Sequence, residues 1–239
     1  MASPTALRGV SRHTNQWRVV DIVVASVIAV AVGVLFFAWS AGYSGISLLT
    51  AGFPPLGGLY SGGWLIAGVL GGLIIRKPGA AIYCEVLAAA VSALIGTQFG
   101  LAVLLSGAIQ GLGAELVFLL FLYRRWNLPV ALLAGLGAGL ALGISENILY
   151  NALWTIEFKL LYVLFAAISG VVIAGLLSWL ATRGLARTGV LSSFAAGRTA
   201  DVWRHSTGPS RVPCRSARGG GAGVMPGAGR SPPGTSTSS

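Results

Sequence analysis

Six stretches of about 20 residues, each an almost unbroken run of Ala, Val, Leu, Ile, Gly and Phe, alternate with short clusters of arginine, lysine, proline or glycine. At about 1.5 Å per residue, a helix of that length crosses the about 30 Å of hydrocarbon in a bilayer. The pattern predicts transmembrane helices over 19–39, 58–75, 79–97, 101–123, 129–152 and 160–182. The segment "SAGYSGISLLTAGFPPLGGLYSGG" between the first two is apolar, but glycines and Pro54-Pro55 break it. It predicts a loop lying on or dipping into one membrane face. No cleavable signal peptide is expected, because residues 1–18 are polar and the run after them is too long for an h-region.

Charge changes this picture by giving it an orientation. Arg8, Arg12 and Arg18 precede the first span, Arg76 and Lys77 separate the second and third, Arg124 and Arg125 the fourth and fifth, and Arg183 and Arg187 follow the sixth. With an even number of spans all four clusters fall on one side, which the positive-inside rule makes cytoplasmic. The other side carries only Glu157 and Lys159. The sequence therefore predicts an all-α integral membrane protein with six helices and both termini cytoplasmic, in a prokaryotic plasma (inner) membrane. Its parts are a cytoplasmic segment 1–17, a membrane domain 18–190 and a tail 191–239 rich in Gly, Pro, Ser and Arg. From about Arg198 that tail has too little apolar surface to offset its ordering entropy, so disorder is expected.

Composition agrees: 55% hydrophobic and 9% charged residues, with a mean hydropathy of +0.80. The net charge of +10 would suggest nucleic acid on a soluble surface, but six of the fourteen arginines lie after Gly197 and the rest follow the spans. Cys84 and Cys214 are too few for a disulfide framework, and both histidines, His13 and His205, lie outside the apolar spans. That leaves no ingredients for a metal site, a Ser-His hydrolase or an intramembrane zinc protease.

A charge near a bilayer centre costs about 2.5–3.5 kcal/mol on insertion scales, so intramembrane acids are functional candidates. Glu85, Glu115 and Glu146 lie in spans three, four and five, with no Lys or Arg partner inside the membrane. Such an interior should attract a proton, a cation or a ligand rich in N–H donors. In "ISENILYNALW", with Glu146 at the origin of a helix turning about 100° per residue, Tyr150, Trp154, Asn147 and Asn151 fall within about 140° of it. The arc reads as one polar and aromatic ligand wall; taken singly, the amides could be helix–helix bonds and the aromatics belt residues. Gly139 and Gly143 on the same face would leave room beside the acid. Glu115 and Glu85 sit deeper, as ligand contacts or hydrogen-bonded structural acids, with Gln98 and Gln110 as weaker candidates. Tyr43, Tyr60 and Trp64 of the apolar loop could form a lid over the pocket. In span one Ala25, Ala29 and Gly33 form a small-residue stripe, for internal packing or for docking another membrane subunit.

No G-x-x-x-x-G-K-[ST] occurs, so the chain cannot itself couple ATP hydrolysis to transport. The stretches "WRVVDIVVASVIAVAVGVLFFAWS", "GFPPLGGLYSGGWLIAGVLGGLIIRKPGAAIYCEVLAA", "SGAIQGLGAELVF" and "SENILYN" resemble the substrate-binding S components of energy-coupling factor (ECF) transporters. The likeness is closest to the YkoE-type members linked to thiamine and its hydroxymethylpyrimidine precursor, and spans about residues 17–195. It implies a non-enzymatic subunit without cofactors that captures a vitamin from outside and docks on a T component carrying ATPases. It also implies that the stripe at Ala25 and Ala29 meets the T component. A second reading of the residues is a stand-alone proton-coupled carrier of a small cationic or amine-bearing solute.

Overall fold

The computed structural model describes residues 16–188. The expectations for the segment before residue 16 and the tail after 188 lie outside them. The chain runs as α1 (Val19–Leu49), two 3-10 segments (Pro54–Leu59 and Ser61–Leu65), α2 (Ile66–Ile75), α3 (Ala80–Ile95), α4 (Ala102–Leu120), α5 (Leu128–Leu149) and α6 (Ile156–Ser169). A π turn (Gly170–Leu176) then leads into α7 (Leu177–Arg187). Because α6, the π turn and α7 form one continuous rod of 32 residues, and the 3-10 segments run straight into α2, five rods among the described residues are long and apolar enough to cross a membrane. Ala80–Ile95 is a shorter apolar helix that makes the sixth.

The largest departure from the sequence pattern is α1, which continues through Gly42 and Gly45 to Leu49 instead of stopping near residue 39. Glycine weakens a helix in water, but in lipid no solvent satisfies a broken turn and the backbone keeps its own hydrogen bonds. Gly42 also admits a neighbour, since a Cβ there would lie 2.5 Å from the Tyr60 hydroxyl. The expected loop is therefore short. A turn at 50–53 reverses the chain, and the Pro54-Pro55 start sets up 3-10 rather than irregular structure.

Nine of the ten residues of α2 are buried, which makes it the central helix. On one side Ala67, Leu70 and Ile74 pack with Ala25 and Ala29 of α1 and Ala80, Cys84 and Ala88 of α3. On the other, Val69 and Leu73 meet Ala114 and Phe118 of α4, Ala131 and Ala138 of α5, and Ala166 of α6. The small-residue stripe of α1 is consumed by this packing. Ala25 and Ala29 are 0% exposed, and a Cβ on Gly33 would lie 2.7 Å from Val91 of α3. A docking role for Ala25, Ala29 and Gly33 does not fit that burial; the face α1 leaves open carries Val23, Val27, Val30 and Val34.

Polar contacts gather the basic turns at one end of the bundle. The Trp17 indole N–H donates to Pro78 O at 3.0 Å, and Asp21, in the first turn of α1, accepts from Arg18 N–H at 2.8 Å and pairs with Lys77. The Arg76 guanidinium lies 5.7 Å from the Trp126 ring; burial lowers its pKa to about 10, and it stays charged at neutral pH. α5 starts on Asn127, whose side chain accepts from Val130 N–H at 3.2 Å, with Pro129 in the first turn. Such caps satisfy N–H groups that no helical carbonyl reaches.

Candidate functional site

At the end away from the basic turns the rods diverge around a cavity of about 350 Å³, near the small end of ligand-pocket volumes. α1 contributes Ser40, Tyr43 and Ser47, α3 contributes Glu85, Ala89 and Ser92, and α4 contributes Ser106 and Gln110. The end of α5 and the turn after it supply Glu146, Tyr150, Asn151 and Trp154, and α6 supplies Tyr162.

Glu85 is 1% exposed. One of its carboxyl oxygens accepts the Gly68 N–H of α2, while Oε1 has no hydrogen-bond partner among the described residues. The approach depends on glycine, because a Cβ at Gly68 would lie 2.9 Å from the carboxyl. Gly107 and Gly111 of α4 likewise let that helix sit against Glu85, with Cβ positions 3.3 Å from its carbonyl and 3.1 Å from its own Cβ. An unsatisfied buried acceptor costs about 1–3 kcal/mol, so this geometry favours a ligand that donates to it.

Glu146, one turn from the end of α5, accepts from the Tyr162 hydroxyl of α6. Trp154 stands edge-on to Tyr162 at 5.7 Å. The helical arc drawn from the sequence stops at Leu149, and a turn with Trp154 N–H on Asn151 O (3.1 Å) carries the rest. Tyr150, Asn151 and Trp154 still line the cavity. Asn147 does not: its side chain donates to Lys159 O at 2.9 Å and ties α5 to α6. Gly139 and Gly143 leave no room beside Glu146, because α6 fills it; their Cβ positions would lie 2.5 Å from Ala166 O and 2.9 Å from Val163 Cα.

Three rings form the opposite wall. Tyr43, Trp64 and Phe99 meet pairwise at 5.5–5.7 Å. The Trp64 indole N–H donates to Ser40 Oγ at 3.0 Å. Gln98 holds the same stretch of α1, donating to Ser40 O and accepting from Ser44 Oγ, both at 3.0 Å. Tyr60 is behind the wall, stacked on Trp39 at 4.4 Å with its hydroxyl on Trp39 O.

Glu115 is a correction. It lies at the basic end, off the cavity, accepting Gly79 N–H (2.6 Å), Ala81 N–H (2.9 Å) and the Tyr123 hydroxyl (2.6 Å). It caps α3 from a neighbouring helix, and Gly79 makes the turn with φ +83°. Burial and this hydrogen bond raise the Tyr123 pKa, so the phenol remains the donor. Glu115→Gln is expected to lower Tm by several degrees, since bonds to a charged acceptor contribute about 1.5–3 kcal/mol, yet leave ligand affinity within about twofold. Thermal unfolding and titration of one preparation check both.

The sequence reading passed over Tyr162, Ser40, Phe99 and Asp21. Tyr162 falls four residues before Ala166 on the buried stripe of α6, a periodicity that marks an inward phenol. Phe99 gave no signal, because it lies in a short turn between Gly96 and Gly100, both at positive φ.

A bundle of apolar rods with a carboxyl-and-aromatic cavity at one end defines an integral membrane protein that holds a small ligand. Residues 20–141 match the family model described as the permease component of an ABC-type cobalt transport system. A curated relative from Bacillus subtilis (strain 168), named there as a candidate HMP/thiamine permease protein, YkoE, is 37% identical over 187 residues, 77% of this chain and 92% of the relative. A crystal structure of an S component of an ECF transporter superposes with a TM-score of 0.70 at 33% identity, covering 80% of this chain and 96% of that one. The chain belongs to the S components of ECF transporters, of the YkoE type. It is a transporter component rather than an enzyme.

Proposed function

We propose that this chain captures thiamine or its hydroxymethylpyrimidine precursor at the outer face of the plasma membrane. It passes the ligand inward together with a separate T component and ATPase subunits. The observation that carries the reading is the unpartnered Oε1 of Glu85 inside an aromatic-walled cavity. An aminopyrimidine offers that oxygen an N–H donor beside a ring nitrogen. Tyr43, Trp64 and Trp154 offer rings to a thiazolium, worth about 0.5–2 kcal/mol as cation–π contacts, and Glu146 offers a second carboxyl. The name of the Bacillus relative supports the same ligand class. The positive-inside rule, applied to the clustered basic turns, puts the cavity on the outer side. The family model's description mentions cobalt, but no group of three or more His, Cys, Asp or Glu that could hold a metal ion occurs among the described residues. Two acids within an aromatic wall suit an organic cation.

The test is titration of the detergent-purified chain with thiamine and with hydroxymethylpyrimidine, following tryptophan fluorescence from Trp64 and Trp154. Saturable quenching with a submicromolar midpoint is expected for at least one of them. Folded protein that responds to neither would overturn the ligand assignment.

A further inference from the structure

We propose that the cavity is a charge filter, admitting the free alcohol of its ligand and rejecting the phosphate esters of that alcohol. This rests on the proposed function and narrows its substrate class. Two carboxyls reach the cavity from different depths. Glu85 lies five residues from the basic-end terminus of α3, and Glu146 three residues from the opposite terminus of α5. Glu85, 1% exposed, keeps Oε1 without a partner. Glu146 gives one oxygen to Tyr162, and the side chain still lines the cavity.

Among the described residues no Lys, Arg or His lines that space. Lys159, at the same end of the bundle, donates its ammonium to Ala152 O at 2.7 Å. Arg76 and Lys77 are engaged at the other end, on Trp126 and Asp21. The remaining polar lining is hydroxyl and carboxamide, from Ser40, Ser92, Ser106 and Gln110 among others. A phosphate ester in this cavity would give up its water, find no fixed cation and share a low-dielectric space with two acids. A cationic ring or an amine instead meets aromatic rings and carboxyl oxygens that accept from it. The filter thus places this chain before the step that phosphorylates its ligand: the imported compound must still be a substrate for a kinase acting on a primary alcohol.

The test is competition on the full chain in detergent, with thiamine against thiamine monophosphate and diphosphate, read by tryptophan fluorescence. The esters are expected to bind at least about 100-fold more weakly. In Glu146→Gln and Glu85→Gln thiamine should weaken more than the monophosphate, narrowing the ratio to about tenfold. Esters binding within about threefold of thiamine would overturn the filter and point to the uncapped N–H groups at the start of α4, beside Val103. A ratio unchanged in both variants would also overturn it. Should neither vitamin bind, the proposed function fails by itself, and benzyltrimethylammonium against phenyl phosphate decides the filter. Preference for the cation sustains it; equal binding or preference for the anion refutes it.

Discussion

Glutamine at position 85 is expected to lower thiamine affinity by about 10- to 100-fold while leaving the unliganded protein at least as stable as before. One carboxyl oxygen of Glu85 is committed to the Gly68 N–H and the other has no partner. A glutamine can keep the Gly68 bond only by turning its NH2 group toward the cavity, where it faces the ligand's own donor. If it turns the other way, the NH2 group faces the Gly68 N–H. Either way one donor opposes another, and a bond to a charged acceptor, about 1.5–3 kcal/mol, is lost. Without ligand, the exchange trades an unpartnered carboxyl oxygen for an unpartnered NH2 group, and a neutral amide costs no more to bury than a carboxylate, so Tm should hold or rise slightly. Calorimetric titration and thermal unfolding of Glu85→Gln check both signs. Unchanged affinity would remove Glu85 from the site.

The second large effect concerns the frame. Gly113→Leu should abolish the folded monomer or lower Tm by about 5–10 °C. A Cβ at Gly113 of α4 would lie 2.5 Å from Gly137 O and 2.7 Å from Ala141 Cβ of α5. Gly137 returns the contact, its own Cβ position lying 2.6 Å from Gly113 O. The obstruction is backbone on both sides, so no rotamer change relieves it and α4 must move off α5. Overpacking a close interface costs about 1–3 kcal/mol where side chains can yield, and more here. Gly45→Ala is the contrasting substitution: nothing lies within 4 Å of that Cβ among the described residues, so Tm should stay close to that of the parent. Equal stability of the two variants by size-exclusion and thermal scans would contradict this account of the interface.

The spans were legible because hydropathy reports directly on what a bilayer tolerates; the predicted 79–97 and 101–123 became Ala80–Ile95 and Ala102–Leu120. The extension of α1 to Leu49 was not, because Gly42 and Gly45 weaken a helix only where water competes. Acidic residues inside the spans were legible as a class but not by role. Glu85, Glu115 and Glu146 have the same composition signal, and only the position of the partner backbone separates a cavity acid from a cap on Gly79 and Ala81. Small residues were ambiguous in the same way. Ala25, Ala29 and Gly33 fit an external or an internal helix equally well until α3 is seen to occupy that face. Asp21 escaped notice because it stands at a span edge, although Lys77 has the complementary charge.

The π turn has a consequence for chain length. Ala166, Gly170, Ala174, Ser178, Thr182 and Ala186 are all buried, at every fourth position. A regular α-helix gains about 40° over four residues, so by Ala186 such a series would have swung about 200° from its starting azimuth. The wider winding of a π turn takes back about one residue of rotation, near 100°, and the series stays within a stripe of ordinary width. Gly170–Leu176 thus acts as a phase corrector between two halves of one rod. Losing a single residue there would let the rod close into regular α-helix with Ser178, Thr182 and Ala186 still facing inward, whereas regular α-helix at the present length would turn all three toward lipid.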